Sequence, residues 1–258
     1  MAITLSSLTA PERRPLITTI FGLGKRGKTS LLATWRANAD KEIAIIRTED
    51  GTGTIIGYPG VKVFPRATCV QDVWDALDAL KNENHNFGTV GIDSVTELEV
   101  LAVKEILDAE PKVKSLNQAC GGYGGGTQAV ANIHRITREK CQWLAENKGM
   151  QIVFIGHAAT ETIDPPDGTQ YTKYTLRMDK KSVGYYTDNV DLVAYVDIKA
   201  FVTGATEKHA GKVNMSPEGA RVIRCVASPA TIAGNRLHIT AQELAYPEGV
   251  NPFAEYLV

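Results

Sequence analysis

Apolar and polar positions fall in blocks along the chain. Short β-branched runs stop at glycine or acidic turns, and each is followed by apolar residues at helical spacing. Pro15–Phe21 (PLITTIF) predicts a strand that ends at a glycine loop, and Lys28–Ala37 a helix through Leu31, Leu32 and Trp35. Glu42–Thr48 (EIAIIRT) predicts the second strand and Val61–Phe64 a brief one. Val70–Leu80 predicts a helix with Val73, Trp74, Leu77 and Leu80 on one side. Thr89–Ile92 reads as a buried strand and Val95–Leu107 as a helix. The glycine-rich CGGYGGGTQ (Cys120–Gln128) is expected to hold no regular element, because each glycine there carries an entropic cost. A helix over Ala129–Asn147 and the apolar strand Gln151–Ile155 follow. From Thr160 to Tyr186 the pattern turns polar, with a hairpin signal at PPDG; Asp191–Asp197 and Val222–Ala227 complete the strands.

Alternation of strand and helix blocks predicts an α/β fold, a mostly parallel sheet flanked by helices, with a β-hairpin-rich C-terminal part. The length of 258 residues suits one domain over 1–258, with a lead at 1–14, a core at 15–199 and C-terminal strands and tail at 200–258. With 28 basic and 29 acidic residues the net charge is −1, so polyanion binding has to come from a local patch. Cys69, Cys120, Cys141 and Cys225 form no CxxC pair, which argues against a zinc site or a disulfide frame. No apolar run approaches bilayer length, and MAITLSSLTAPERRP has no charged lead before an apolar core. The expectation is a soluble cytoplasmic protein with no membrane partner.

The strongest chemical signal is Gly22-Leu23-Gly24-Lys25-Arg26-Gly27-Lys28-Thr29, followed by Ser30, a match to GxxxxGK[ST]. Glycines let successive backbone N–H groups turn onto a phosphate, and the next helix points its positive end at the same anion. Lys28 then bridges the β- and γ-phosphates, and the Thr29 hydroxyl ligates a magnesium ion. A chance match in a chain of this length has odds of about one in a hundred. The pattern predicts binding of a nucleoside triphosphate, ATP with Mg2+. The alternative is a glycine turn that binds nothing. Lys25 and Arg26 read as solvated loop charges, since the place of an additional signature lysine holds Leu23.

Further residues suit the same chemistry. Asp93 ends an apolar strand about 65 residues after the loop, where it can anchor the magnesium. Glu49 stands at the tip of the second strand, where a carboxylate can orient the attacking water; Asp50 is its competitor, and a surface acid in a glycine turn is the plain alternative. His157 ends the QIVFIGH strand on the side that faces a ligand crevice, or merely caps that strand. Lys173, Tyr174, Arg177, Lys180, Lys181, Tyr185 and Tyr186 interleave cations and rings within fourteen residues. That mix suits a single nucleic-acid strand, and equally an exposed hairpin with a solvated face.

In order, the strand and phosphate loop, IIRTEDG, VGIDSVTEL and VFIGH resemble the core of RecA-like recombinases. YGGGTQ, QIVFIGHA, DNVDLVAYV and ASPATIAGNR look closest to the phage-encoded AAA-type nucleotide-binding proteins, including Sak-type RecA paralogues that anneal single strands. The resemblance covers Pro15 to Arg236. It implies a RecA-like P-loop NTPase core, Glu49 in the water-activating role, and His157 where recombinases keep a glutamine that couples nucleotide to DNA. It also implies that Arg236 reaches the nucleotide of a neighbouring subunit. The function implied is a DNA-stimulated ATPase acting on single-stranded DNA in phage recombination or annealing, as a homo-oligomer and beside a single-strand-binding protein. The rivals are a nucleotide-gated assembly protein with little turnover and a small-molecule or nucleotide kinase.

Overall fold

The computed structural model describes residues 4–10, 12–36, 38–166, 168–203, 212–215 and 219–258. Its first half runs β1 (Ile17–Gly22), α1 (Lys28–Leu32), β2 (Glu42–Arg47), β3 (Val61–Val63), α2 (Val70–Asn82), β4 (Phe87–Asp93) and α3 (Val95–Ala109). The second half runs α4 (Gly125–Lys148), β5 (Gln151–Ile163), β6 (Tyr171–Leu176), α5 (Lys180–Thr187) and β7 (Leu192–Ile198). It ends with β8 (Ala200–Thr203), β9 (Lys212–Met215), β10 (Arg221–Arg224), β11 (Gly234–Asn235) and β12 (Leu244–Ala245).

The main sheet has the order β3-β2-β4-β5-β1-β7-β10-β12. The strands from β3 to β7 are parallel, and β10, β11 and β12 join antiparallel at the β7 side. Parallel strands are covered on both faces, which is why they read as continuous apolar runs. Successive side chains divide between the two faces. Ile17, Phe21, Ala44, Ile46, Val90, Ile92, Ile152 and Phe154 pack under α2, α3 and α4. Ile20, Ile43, Ile45, Val153 and Ile155 pack with Leu31, Leu32 and Trp35, and with Tyr246, Phe253 and Leu257 of the chain's end. The α/β class with a mostly parallel sheet is therefore as the pattern predicts. Among the described residues no helix is long and apolar enough to cross a membrane.

Several element expectations need correction. The helix expected over Lys28–Ala37 stops at Leu32, and Ala37 lies outside the described residues. Beyond Leu32 the chain tightens into i→i+3 bonds, with Trp35 buried against Phe253 and its carbonyl accepting from the Thr89 hydroxyl. The glycine-rich stretch does enter a helix, because α4 begins at Gly125. A Cβ on Gly125 would meet the Cys120 carbonyl oxygen at 2.4 Å, and one on Gly126 the Leu116 oxygen at 2.3 Å. Close backbone packing there overrides the weak helix propensity of glycine.

The polar stretch after Thr160 is a hairpin only in its first part. β5 continues to Ile163 and pairs antiparallel with β6 around the PPDG turn, of which Asp167 lies outside the described residues. Lys180–Thr187 is helix α5, started by the Asp179 carboxylate accepting from the Lys181 N–H and held by buried Ser182 and Tyr186, four residues apart on one face. In the C-terminal part β8 and β9 form a separate antiparallel pair, while β10 to β12 extend the main sheet.

Candidate active site

β1 delivers its buried carboxyl end into the loop Gly22–Thr29. Gly22 has to be glycine, since a Cβ there would sit 2.4 Å from the Val196 carbonyl oxygen of β7. Gly27 turns the chain into α1 with φ +92°, a left-handed conformation that costs a side-chain-bearing residue dearly. Leu23, Gly24 and Lys25 form the exposed tip, whereas Lys28 and Ser30 are buried at its base. The Lys28 ammonium folds back to donate to the Gly22 and Leu23 carbonyls at 3.1 and 2.9 Å. Burial pushes its pKa down, against the pull of Asp93 and Glu49. Lys25 is the solvated charge expected, but Arg26 is not. It is half-buried, 3.7 Å from Asp197 on β7, a strand whose place beside β1 the local pattern cannot reveal.

Sheet order assembles the rest. β5 lies between β1 and β4, with Gly22 opposite His157 and Asp93 opposite Ile155. β1, β4 and β2 end at one edge where β5 passes on, which brings Thr29, His157, Asp93 and Glu49 together. His157 does not end its strand as expected, because β5 runs on to Ile163 to pair with β6. The Thr29 hydroxyl donates to Asp93 Oδ2 at 2.7 Å. Burial raises the Asp93 pKa, opposed by that hydrogen bond. His157 Nε2 stands 3.1 and 3.2 Å from the two Glu49 oxygens. The His157 hydrogen bond holds Glu49 below the usual carboxylate range despite partial burial, so the ionised carboxylate accepts and Nε2–H donates. Thr96 Oγ1 accepts from the His157 backbone N–H at 2.9 Å and fixes β5 where it passes the loop. Thr48 and Ser94 exchange two hydrogen bonds of 2.8 Å, clamping β2 to β4. Asp50 points away, 72% exposed, toward Arg66 and Arg47.

The donor set fits magnesium. Two hard oxygens, Thr29 Oγ1 and Asp93 Oδ2, meet at the loop, and no cluster of three or more His, Cys, Asp or Glu exists among the described residues to hold a metal otherwise. Magnesium is characteristically held by one or two protein oxygens, with substrate phosphates and waters supplying the others.

A family model described as an AAA domain matches residues 14–237. The chain belongs to the AAA-domain family. Comparison with curated proteins gives no match. As an AAA domain of P-loop type it is a nucleotide-binding ATPase.

The other residues singled out in the sequence lie elsewhere in this AAA domain. Lys173 and Lys180 both approach Glu161, at 3.8 and 2.8 Å, and Arg177 stands 3.5 Å from Glu97. Lys181 reaches the Gly124 carbonyl. Tyr174 stacks on Tyr195, rings 4.9 Å apart, Tyr185 packs against the core, and Tyr186 is fully buried with its hydroxyl on His134. Arg177 is nearest the nucleotide edge, because its N–H donates to the His157 carbonyl at 2.9 Å. Arg236 is held at the opposite end of β7, its guanidinium on the Asp188 carbonyl, and does not meet the phosphate loop of its own chain.

Sequence reasoning missed Arg221 and Tyr246, which flank Gly27, and Asp197, which receives Arg26 and Arg224. Their one sequence signal is polar residues at the ends of late strands, and only sheet pairing brings them to the loop.

Proposed function

We propose that this chain hydrolyses ATP and couples turnover to a single strand of DNA, in recombination or strand annealing. The observation that carries the reading is the Glu49–His157 pair, 3.1 Å apart beside the phosphate loop. Glu49, kept ionised, takes a proton from water as the water oxygen bonds the γ-phosphorus and the bond to the β-phosphate oxygen breaks, giving ADP and phosphate. Lys28 leaves its own loop carbonyls to meet the β- and γ-phosphates. Thr29 and Asp93 would hold magnesium, which supplies charge neutralisation for the phosphates when bound. His157 fixes the orientation of Glu49, and its carbonyl ties the middle of β5 to Arg177. A change at His157 is thereby passed to the segment from β6 to α5, where Lys173, Arg177 and Lys180 would exchange Glu161 and Glu97 for phosphates beside Lys181.

A second reading, a nucleotide-gated assembly protein with little turnover, draws on one observation: Lys173, Arg177 and Lys180 already have carboxylate partners in Glu161 and Glu97. The test is ATP hydrolysis with and without single-stranded DNA, with a scan for phosphorylated products other than phosphate. DNA-stimulated release of phosphate is the expected result. Turnover indifferent to DNA favours assembly, and a phosphorylated acceptor would make the protein a kinase.

A further inference from the structure

Beside the loop, on the flank away from the catalytic acids, stands a cation that the mechanism does not use. β10 carries two arginines of contrasting fate. Arg224 is neutralised by Asp197 and Glu243, at 3.6 and 2.9 Å. Arg221 has no carboxylate in salt-bridge distance among the described residues. Its guanidinium instead lies over the Tyr246 ring, 5.8 Å from the centroid. It also abuts the loop, since a Cβ on Gly27 would come within 3.0 to 3.2 Å of its terminal atoms. Tyr246 is itself buried and donates its hydroxyl to the Gly27 carbonyl at 3.0 Å. The tyrosine is thus a fixed backing, and the half-buried guanidinium is the layer above it.

The sheet order sets the polarity of the ligand. With Thr29 and Asp93 holding magnesium and Glu49 orienting the attacking water, as proposed above, the γ-phosphate lies toward β5, β4 and β2. A phosphate chain laid along the loop therefore leaves its nucleoside end toward β7 and β10, where Arg221 stands at the carboxyl edge, opposite Ile198. A planar, weakly hydrated cation with no acid at salt-bridge distance among the described residues suits the face of an aromatic base.

We infer that Arg221, backed by Tyr246, is the nucleoside-side contact of the site, its guanidinium stacking on the base of the bound nucleotide. This rests on the nucleotide-binding reading above. The side chain acts as a specificity contact on the base, and the phosphates are left to the loop.

The experiment measures affinity of the full chain for ATP, ADP and inorganic tripolyphosphate by calorimetry, for the wild type, Arg221→Ala and Arg221→Lys. Thermal melts verify that each variant is folded, and the lysine variant keeps the charge should the alanine variant not fold. The expected result is a loss of about tenfold for ATP and ADP alike in both variants, with tripolyphosphate binding unchanged. Equal weakening of tripolyphosphate would mean that Arg221 reads phosphate and would overturn the inference. So would unchanged ATP affinity in folded Arg221→Lys. A wild-type protein that binds neither ATP nor tripolyphosphate would overturn the nucleotide-binding reading itself, a separate failure read from the wild type alone.

Discussion

The edge formed by β1, β5, β4 and β2 and the segment formed by β6 and α5 both carry many charges, but in opposite physical states. At the edge, Lys28 and Asp93 are 6% and 4% exposed, and burial pushes each toward its neutral form. Between β6 and the start of α5 the Arg177 and Lys180 side chains are 57% and 87% exposed and meet acids at the surface. Burying charge is costly unless something completes it, so groups held this way mark a place prepared for a ligand. Exposed ion pairs contribute little to stability and exchange partners readily. The first region is committed to one chemistry by its desolvation, and the second is left free to trade carboxylates for other anions.

The sharpest way to break the comparison is Glu49→Gln, which keeps the shape and removes the proposed base. ATP should still bind while turnover falls by roughly 10² or more, measured by phosphate release under saturating ATP. Normal turnover in this variant, with loss in Asp50→Asn, would move the role to the neighbour despite its outward geometry.

Lys28→Ala is expected to follow, with triphosphate affinity or turnover reduced at least about tenfold. Removing a buried cation between two acids also leaves Asp93 and Glu49 facing each other, so a melt should accompany the calorimetry. A folded variant with unchanged affinity and turnover would remove the committed region's central member.

The exchangeable region is tested by salt. If its cations meet phosphates, the logarithm of single-strand affinity falls against the logarithm of salt by about 0.7 per contact. Replacing Lys173 and Lys180 together should flatten that slope by about one to two units, and Glu161, relieved of both partners, should not compensate. Titration of labelled single strands over a salt series, with and without a non-hydrolysable ATP analogue, reads it. A slope that does not change would leave these lysines to Glu161.

The smallest effect is a displacement along the pH axis. His157 holds the Glu49 pKa down, so His157→Ala should raise it and carry the acid limb of the turnover profile to higher pH. The sign for stability is the same argument. A carboxylate depressed in the folded state stabilises above its unfolded pKa, and that contribution is lost as pH falls through the folded value. Acid denaturation of the variant should therefore depend less on Glu49 than that of the wild type. An acid limb that stays in place would sever the pair.

How far each region can be read from the chain follows the range of the forces that build it. The sequence by itself determined β1, the glycine loop and Lys28 with Thr29, because these depend on neighbours a few residues apart. Strand-end positions likewise pointed to Asp93, Glu49 and His157, since polar residues that stop a buried apolar run collect at one edge of a parallel sheet. Which of them touch was decided by tertiary structure. Glu49 and His157 are 108 residues apart and meet only because β5 lies next to β4, which lies next to β2. Tyr246 reaches Gly27 across 219 residues by way of β10 and β12. The same holds for α5, whose buried face is defined by α4 and β1, and for the glycine start of α4, where Cys120 and Leu116 leave no room for a Cβ. Periodicity and propensity report the local free energy of a segment, whereas partner choice between distant segments is set by which surfaces the whole sheet must bury.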